Sequence, residues 1–112
     1  MNGSDTARFQ DLIRDRLREL EREDHRGQRA QSVVRLDQQA VGRLSRMDAL
    51  QNQAMAKAQQ TRRDIQARRL TGALHRIEAG EFGYCQDCGD EIALKRLELD
   101  PTVTKCISCA RG

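Results

Sequence analysis

The chain has 112 residues, 38% of them apolar and only 3% aromatic, with no Trp, too little bulk for a large globular core. Charged residues reach 33%, as in long solvated helices with narrow apolar seams, and the net charge of +3 points weakly to nucleic acid or an acidic protein surface as partner. No stretch approaches the roughly 20 consecutive apolar residues that span a bilayer, and Met1-Asn2-Gly3-Ser4-Asp5 has neither the cationic start nor the apolar run of a secretory signal. The expected compartment is therefore the cytoplasm, where thiols stay reduced and metal binding is favoured over disulfides.

A first helix is expected over about residues 5–31. Phe9, Ile13, Leu17 and Leu20 recur at spacings of four, four and three, with Leu12 beside them. After Leu20 the stripe fails, and Gly27 interrupts an almost wholly polar run. Residues 32–44 read as the turn, because Val33, Val34, Leu36, Val41 and Leu44 do not continue the seam and Gly42 can supply an unusual backbone angle. A second helix is expected over about 46–79, with Ser45 as N-cap and Asp48 three residues on in the capping-box position. Ala54, Ala58, Thr61 and Ile65 make a thin stripe along it, and Ala67, Leu70, Leu74 and Ile77 a stronger one. Gly80 is the expected C-terminal cap. Two such helices joined by a turn form an antiparallel coiled-coil hairpin. The middle of the chain is the basic part, since residues 30–80 carry nine basic and four acidic side chains.

The last segment holds all four cysteines, spaced Cys85-x2-Cys88-x17-Cys106-x2-Cys109. Two C-x2-C pairs at that separation are a zinc signature; each pair forms a knuckle that aims two sulfurs at one point. Four thiolates complete a tetrahedral shell and leave no position for a substrate water, so the expectation is one structural Zn2+ per chain. Two disulfides and a thioredoxin-like redox pair are the alternatives, and a redox pair leaves the second C-x2-C unexplained. Ile92, Leu94, Leu97, Leu99 and Val103 supply a very small core, and Pro101 stops any helix before the second knuckle. So few apolar groups imply that metal binding and folding are coupled there. The expected organisation is mainly α: a helical hairpin over 1–80, holding its own helix, followed by a C4 zinc finger over 81–112.

The run from Ala73-Leu74-His75-Arg76-Ile77-Glu78-Ala79-Gly80-Glu81-Phe82-Gly83-Tyr84 into Cys85, followed by Cys88-Gly89, Ile92, Arg96-Leu97, Pro101 and Cys106-Ile107-Ser108-Cys109, resembles the DksA/TraR family of bacterial transcription regulators. The resemblance implies direct binding to RNA polymerase, with the hairpin in the secondary channel and its tip near the catalytic magnesium. The family tip carries two aspartates three residues apart, followed by a small residue. Ser45 and Asp48 hold that spacing here, Leu50 stands for the small residue, and Asp37 is the nearest other acid. Arg62 and Arg69 fall where the family helix carries basic residues that touch polymerase or the alarmone guanosine tetraphosphate. On the resemblance, the family's long C-terminal helix, which helps to form one alarmone site, is expected to be missing after Cys109. The alarmone is accordingly a second candidate partner behind polymerase.

Asp48 also has a plain role as a capping residue, and Arg62, Arg63, Arg68 and Arg69 a plain role in solvating a helix face. The chain has no Gly-rich phosphate loop, nucleophile elbow or acid–base pair, so catalysis is not expected. Two other functions fit the same features: a zinc-dependent nucleic-acid-binding module that uses the basic middle helix, and a structural coiled-coil adaptor. The first would bind free DNA with a steep salt dependence; the second would leave transcription unchanged.

Overall fold

In a computed structural model, the backbone is described for residues 2–40 and 43–112 and the side chains for residues 2–29 and 46–112. Two long helices come first, α1 (Gly3–Ala40, 38 residues) and α2 (Arg43–Glu78, 36 residues), each about 55 Å long at 1.5 Å per residue. Two short helices follow, α3 (Leu94–Leu99) and α4 (Ile107–Ala110). The mainly α architecture, with four cysteines gathered near the C-terminus, is as the sequence predicts.

The helix limits differ from those expected. The first helix starts earlier, where the Asn2 side-chain oxygen accepts the Asp5 amide at 2.8 Å and caps it. It also ends later, at Ala40 instead of about residue 31, so the turn expected over 32–44 is corrected to a break between Ala40 and Arg43. Residues 31–40 contain no Gly or Pro, and Arg35, Leu36, Gln38, Gln39 and Ala40 are good helix formers. Loss of apolar periodicity marks the end of burial, not the end of a helix. Because α2 begins at Arg43, Ser45 is inside its first turn and not the N-cap, and Asp48 lies beyond that turn. The expected backbone role of Gly42 and the packing of Val33, Val34, Leu36, Val41 and Leu44 lie outside the described residues.

The chain forms two compact units, one of Met1–Leu17 with Arg68–Gly112 and one of Arg18–Ala67, so it does not divide at residue 80. The first unit holds most of the buried apolar side chains: Phe9, Ile13, Leu70, Ala73, Phe82, Ile92 and Leu97. The Phe9 and Phe82 rings meet at 5.5 Å between centroids and 51° between planes, which ties the start of α1 to the segment after α2. Arg8 reinforces this edge, lying 5.0 Å over the Phe9 ring and 3.1 Å from Glu98.

The second unit is closed differently. Leu20 and Ala49 are buried, but the facing positions between the helices are largely polar. Asp24 accepts hydrogen bonds from Arg63 Nε at 2.7 Å and Gln60 Nε2 at 3.0 Å, and Arg63 Nη2 donates to Gln60 Oε1 at 2.9 Å. Gly27 makes room for this group: a β-carbon there would sit 2.9 Å from Arg63 Nη2. Contact between Asp24 and Arg63, on either side of the Ala40–Arg43 break, requires the helices of this unit to run antiparallel.

The seam of α2 is therefore not the predicted Ala54–Ala58–Thr61–Ile65 stripe, all four of which are exposed. Its inward row is Ala49, Gln53, Ala56, Gln60, Arg63 and Ala67, at alternating spacings of four and three, leading to buried Leu70. Small and polar residues close the gap here, so an apolar pattern alone selects the opposite face. No helix among the described residues is long and apolar enough to cross a membrane.

Candidate metal centre

A glycine turn leads from α2 into the site. Gly80 has φ +73°, the Glu81 amide donates to the Arg76 carbonyl at 2.8 Å, and the Gly80 amide donates to the Ile77 carbonyl at 3.1 Å. These are the two bonds of a Schellman motif, and they end the helix at the glycine the sequence singles out. Phe82 is then placed against Phe9, and the chain enters the first knuckle. There Cys85 exchanges backbone bonds with its own loop, accepting the Gly89 amide at 2.9 Å and donating to the Asp90 carbonyl at 2.8 Å. Gly89 closes the turn at φ +78°. An antiparallel bridge between Tyr84 and Glu91 and an Ile92 amide bond to Gly83 at 2.7 Å hold the two sides of the knuckle together.

The second knuckle is docked by three links. Gln86 donates its amide to Thr104 at 2.8 Å, Arg96 Nε reaches the Lys105 carbonyl at 3.1 Å, and Lys105 pairs with Asp87 at 3.2 Å. Between the knuckles, Asp100 turns the chain by accepting the Thr102 hydroxyl at 2.6 Å and amide at 3.0 Å around Pro101. Burial pushes the Asp100 carboxyl up, but these two bonds with Arg69 and Arg96 nearby leave it below the usual carboxylate range. The predicted finger core is partly corrected. Ile92 and Leu97 are buried, whereas Leu94 is 42% and Leu99 89% exposed. Six residues of α3 can turn one side inward, and Leu99 lies two positions past Leu97, on the far side.

The result is that Cys85, Cys88, Cys106 and Cys109 place their sulfurs within 4.8 Å of one another. The Cys88 and Cys106 sulfurs are 3.7 Å apart. A tetrahedral zinc with bonds of about 2.3 Å has sulfurs about 3.8 Å from each other, so the cluster fits that ion. None of the four is in a disulfide. Backbone hydrogen bonds from Cys106 and Cys88 pull the Cys85 thiol down to about 6. The neighbouring sulfurs of Cys106, Cys85 and Cys88 push Cys109 up to about 12. At Cys88 the Asp90 backbone bond acts downward, but Cys85, burial and Cys106 together leave the thiol raised. One thiolate is thus easily formed and further ones repel it, an arrangement that a divalent cation resolves. The four cysteines fit one structural zinc ion, which supplies a crosslink between the knuckles and has no open position for chemistry.

The other predicted residues are not gathered into one site. Asp48 is exposed on α2 and Asp37 lies on α1, while the side chains of Ser45 and Asp37 are outside the described residues. Arg62 is exposed, with its Nε 3.4 Å from the Ala58 carbonyl of its own helix. Arg69 is exposed and 4.0 Å from Asp100. Arg62 and Arg63 also line a shallow groove of about 510 Å³ with Glu23, Arg26, Gly27 and Gln59. Sequence reasoning missed the Asp24–Gln60–Arg63 group; its signal was a glycine within a polar run that still kept helical spacing.

Comparison with known proteins agrees with the metal centre. Residues 80–112 match the family model of the prokaryotic dksA/traR C4-type zinc finger. Over 42 residues the chain is 40% identical to the RNA polymerase-binding transcription factor DksA of Haemophilus influenzae and 43% identical to that of Escherichia coli K12. These matches cover 38% of this chain and 29% and 28% of the relatives, so the chain spans less than a third of their length in the match. In fold it is similar to transcription factor DksA2 from Pseudomonas aeruginosa, with a TM-score of 0.89 at 22% identity over 99% of this chain and 84% of that one. Residues 80–112 thus carry the dksA/traR C4-type zinc finger, and the fold of the chain is similar to that of a DksA2 factor.

Proposed function

We propose that the chain is a cytoplasmic regulator of bacterial transcription that binds RNA polymerase, with its hairpin entering the secondary channel. The observation that supports this most is the combination of a DksA/TraR finger with the helical hairpin fold of a DksA-type factor along nearly the whole chain. The relatives that match are named as RNA polymerase-binding transcription factors, not enzymes, and the zinc fit above is a closed four-sulfur one. On this reading the finger is a brace, the sides of the hairpin grip, and an acid near the tip acts on the active centre. Exposed Arg62 and Arg69 supply positive charge toward acidic channel walls.

Transcription in vitro with purified polymerase, with and without the protein, tests the function; adding guanosine tetraphosphate to the same assay tests the second partner. Unchanged transcription and no polymerase binding would refute the reading. Asp48→Asn divides grip from action. A carboxylate near the catalytic magnesium alters local electrostatics, and the amide removes its charge at constant shape. Because Asp48 is exposed beyond the first turn of α2, the change should cost the fold less than about 0.5 kcal/mol. Polymerase binding should persist while the effect on transcription falls. Equal losses in both would make Asp48 a structural residue.

A further inference from the structure

The outward face of α2 within the second unit carries an apolar row that is exposed among the described residues. Met47, Ala54, Ala58 and Ile65 follow one another at seven, four and seven residues, so they stack along one line opposite the inward row. Leu50 and Met55 widen it on either side. The large members are well exposed: Met47 66%, Leu50 61%, Met55 61% and Ile65 48%. On α1, by contrast, every exposed side chain over residues 18–29 is polar. Isolated exposed apolar groups are ordinary, but a row at helical spacing on one of two paired helices is a docking feature.

Charge selects the occupant. Residues 46–67 carry four basic side chains, Arg46, Lys57, Arg62 and Arg63, against two acidic ones, Asp48 and Asp64. Arg63 is turned inward to Asp24, whereas Lys57 and Arg62 are exposed beside the row. A symmetric pairing of two copies through this row would set a net-positive surface against itself. A nucleic-acid backbone would answer the cations but would leave the methionines and isoleucine without a partner, and the row has no aromatic ring on which a base could stack. The surface that fits is a protein trough, apolar along its floor and edged by carboxylates.

We infer that this row is the face through which α2 docks on its protein partner, the methionines and isoleucine filling an apolar trough and Lys57 and Arg62 meeting acidic rims. The inference rests on the polymerase reading above and names the gripping face. The test is Met47→Gln/Met55→Gln/Ile65→Gln in the zinc-loaded protein. All three positions are exposed and Gln is a good helix former, so helical content and thermal midpoint should stay at wild-type values. Affinity for purified RNA polymerase is measured by competition at low and high salt, with oligomeric state by sedimentation. The expected result is an affinity loss of at least about tenfold that is the same at both salt concentrations, because the lost term is apolar. Wild-type binding matched by the triple variant would overturn the docking face and leave the polymerase reading intact. A wild-type protein that does not bind polymerase would remove that reading and the occupant with it. A wild-type dimer dispersed by the three substitutions would give the row to a second copy and overturn the inference as well.

Discussion

The four cysteines are equivalent in spacing but not in proton affinity. Cys85 is drawn down to about 6 by backbone hydrogen bonds, while Cys88 is raised and Cys109 is pushed up to about 12 by neighbouring sulfurs. In the folded cluster Cys85 is therefore the most readily ionised of these three, and Cys88 and Cys109 hold their protons at pH 7. Once the finger unfolds without metal, the thiols return to their ordinary, largely protonated state. Zinc needs thiolates, so the metal-bound state carries fewer protons than the free one, and affinity rises with pH. Calorimetry in buffers of different ionisation enthalpy should find roughly two or more protons released per zinc at pH 7. Release of one proton or none would show that the free thiols are already ionised.

At the scale of elements, the two helices are legible to different degrees. The cysteine spacing gave the metal site because thiolate pairs at two-residue separation have few other uses, and Gly80 gave the end of α2 because a left-handed turn needs glycine. The Phe9–Ile13–Leu17–Leu20 stripe marked the inner side of α1, with Leu17 half-buried and the others buried. The inner face of α2 was not readable in the same way. Its distal seam is built from Gln53, Gln60, Arg63 and small alanines, so the thin Ala54–Ala58–Thr61–Ile65 stripe lies outside and misleads. Helix continuation past residue 31 was hidden too, because burial stops before the helix does.

That polar seam sets a prediction about the hairpin. Arg63 is only 14% exposed at its side chain and Asp24 34%, so each is partly desolvated and depends on the other. Arg63→Leu alone leaves Asp24 with Gln60 as its remaining partner and should destabilise the protein by about 1–2 kcal/mol. Asp24→Leu alone removes the charge partner of a largely buried guanidinium, leaving it the Gln60 oxygen, and should cost a similar amount. The double variant Asp24→Leu/Arg63→Leu replaces the ion pair by an apolar one and should regain wild-type stability or exceed it, as buried pairs often cost as much in desolvation as they return. Denaturant titration of the four proteins completes the cycle. Additive losses in the double variant would show that the two residues do not act as a pair. Gain of stability with loss of a single oligomeric state would show that the pair sets register, not strength.

For the whole molecule, the distribution of buried side chains decides how far the zinc is felt. Among the described residues, Phe9, Ile13, Leu70, Ala73, Phe82, Ile92 and Leu97 all belong to the unit that contains the cysteines, and the other unit buries only Leu20 and Ala49 of the apolar residues. The sequence alone suggests a hairpin with a seam sufficient to keep its helix without the finger. The structure puts the main apolar contacts of both helices at the finger end, where Phe82 reaches Phe9. Paired helices with a polar seam are marginal by themselves, since helix formation in water draws most of its stability from buried apolar contact. A structural zinc site is worth about 10 kcal/mol or more to folding, comparable to the whole stability of a small domain. Chelation, or Cys88→Ser, should therefore melt much more than α3 and α4, which contain only 6 and 4 residues. Circular dichroism at 25 °C should lose more than about half of the helical signal, and readdition of zinc to the chelated wild type should restore it. Hydrogen exchange should show protection lost first at residues 1–17 and 68–112, with residues 18–67 following at little further cost. A loss confined to the amplitude of the two short helices, with full protection retained along α1 and α2, would show that the polar seam of Asp24, Gln60 and Arg63 holds the hairpin without the metal.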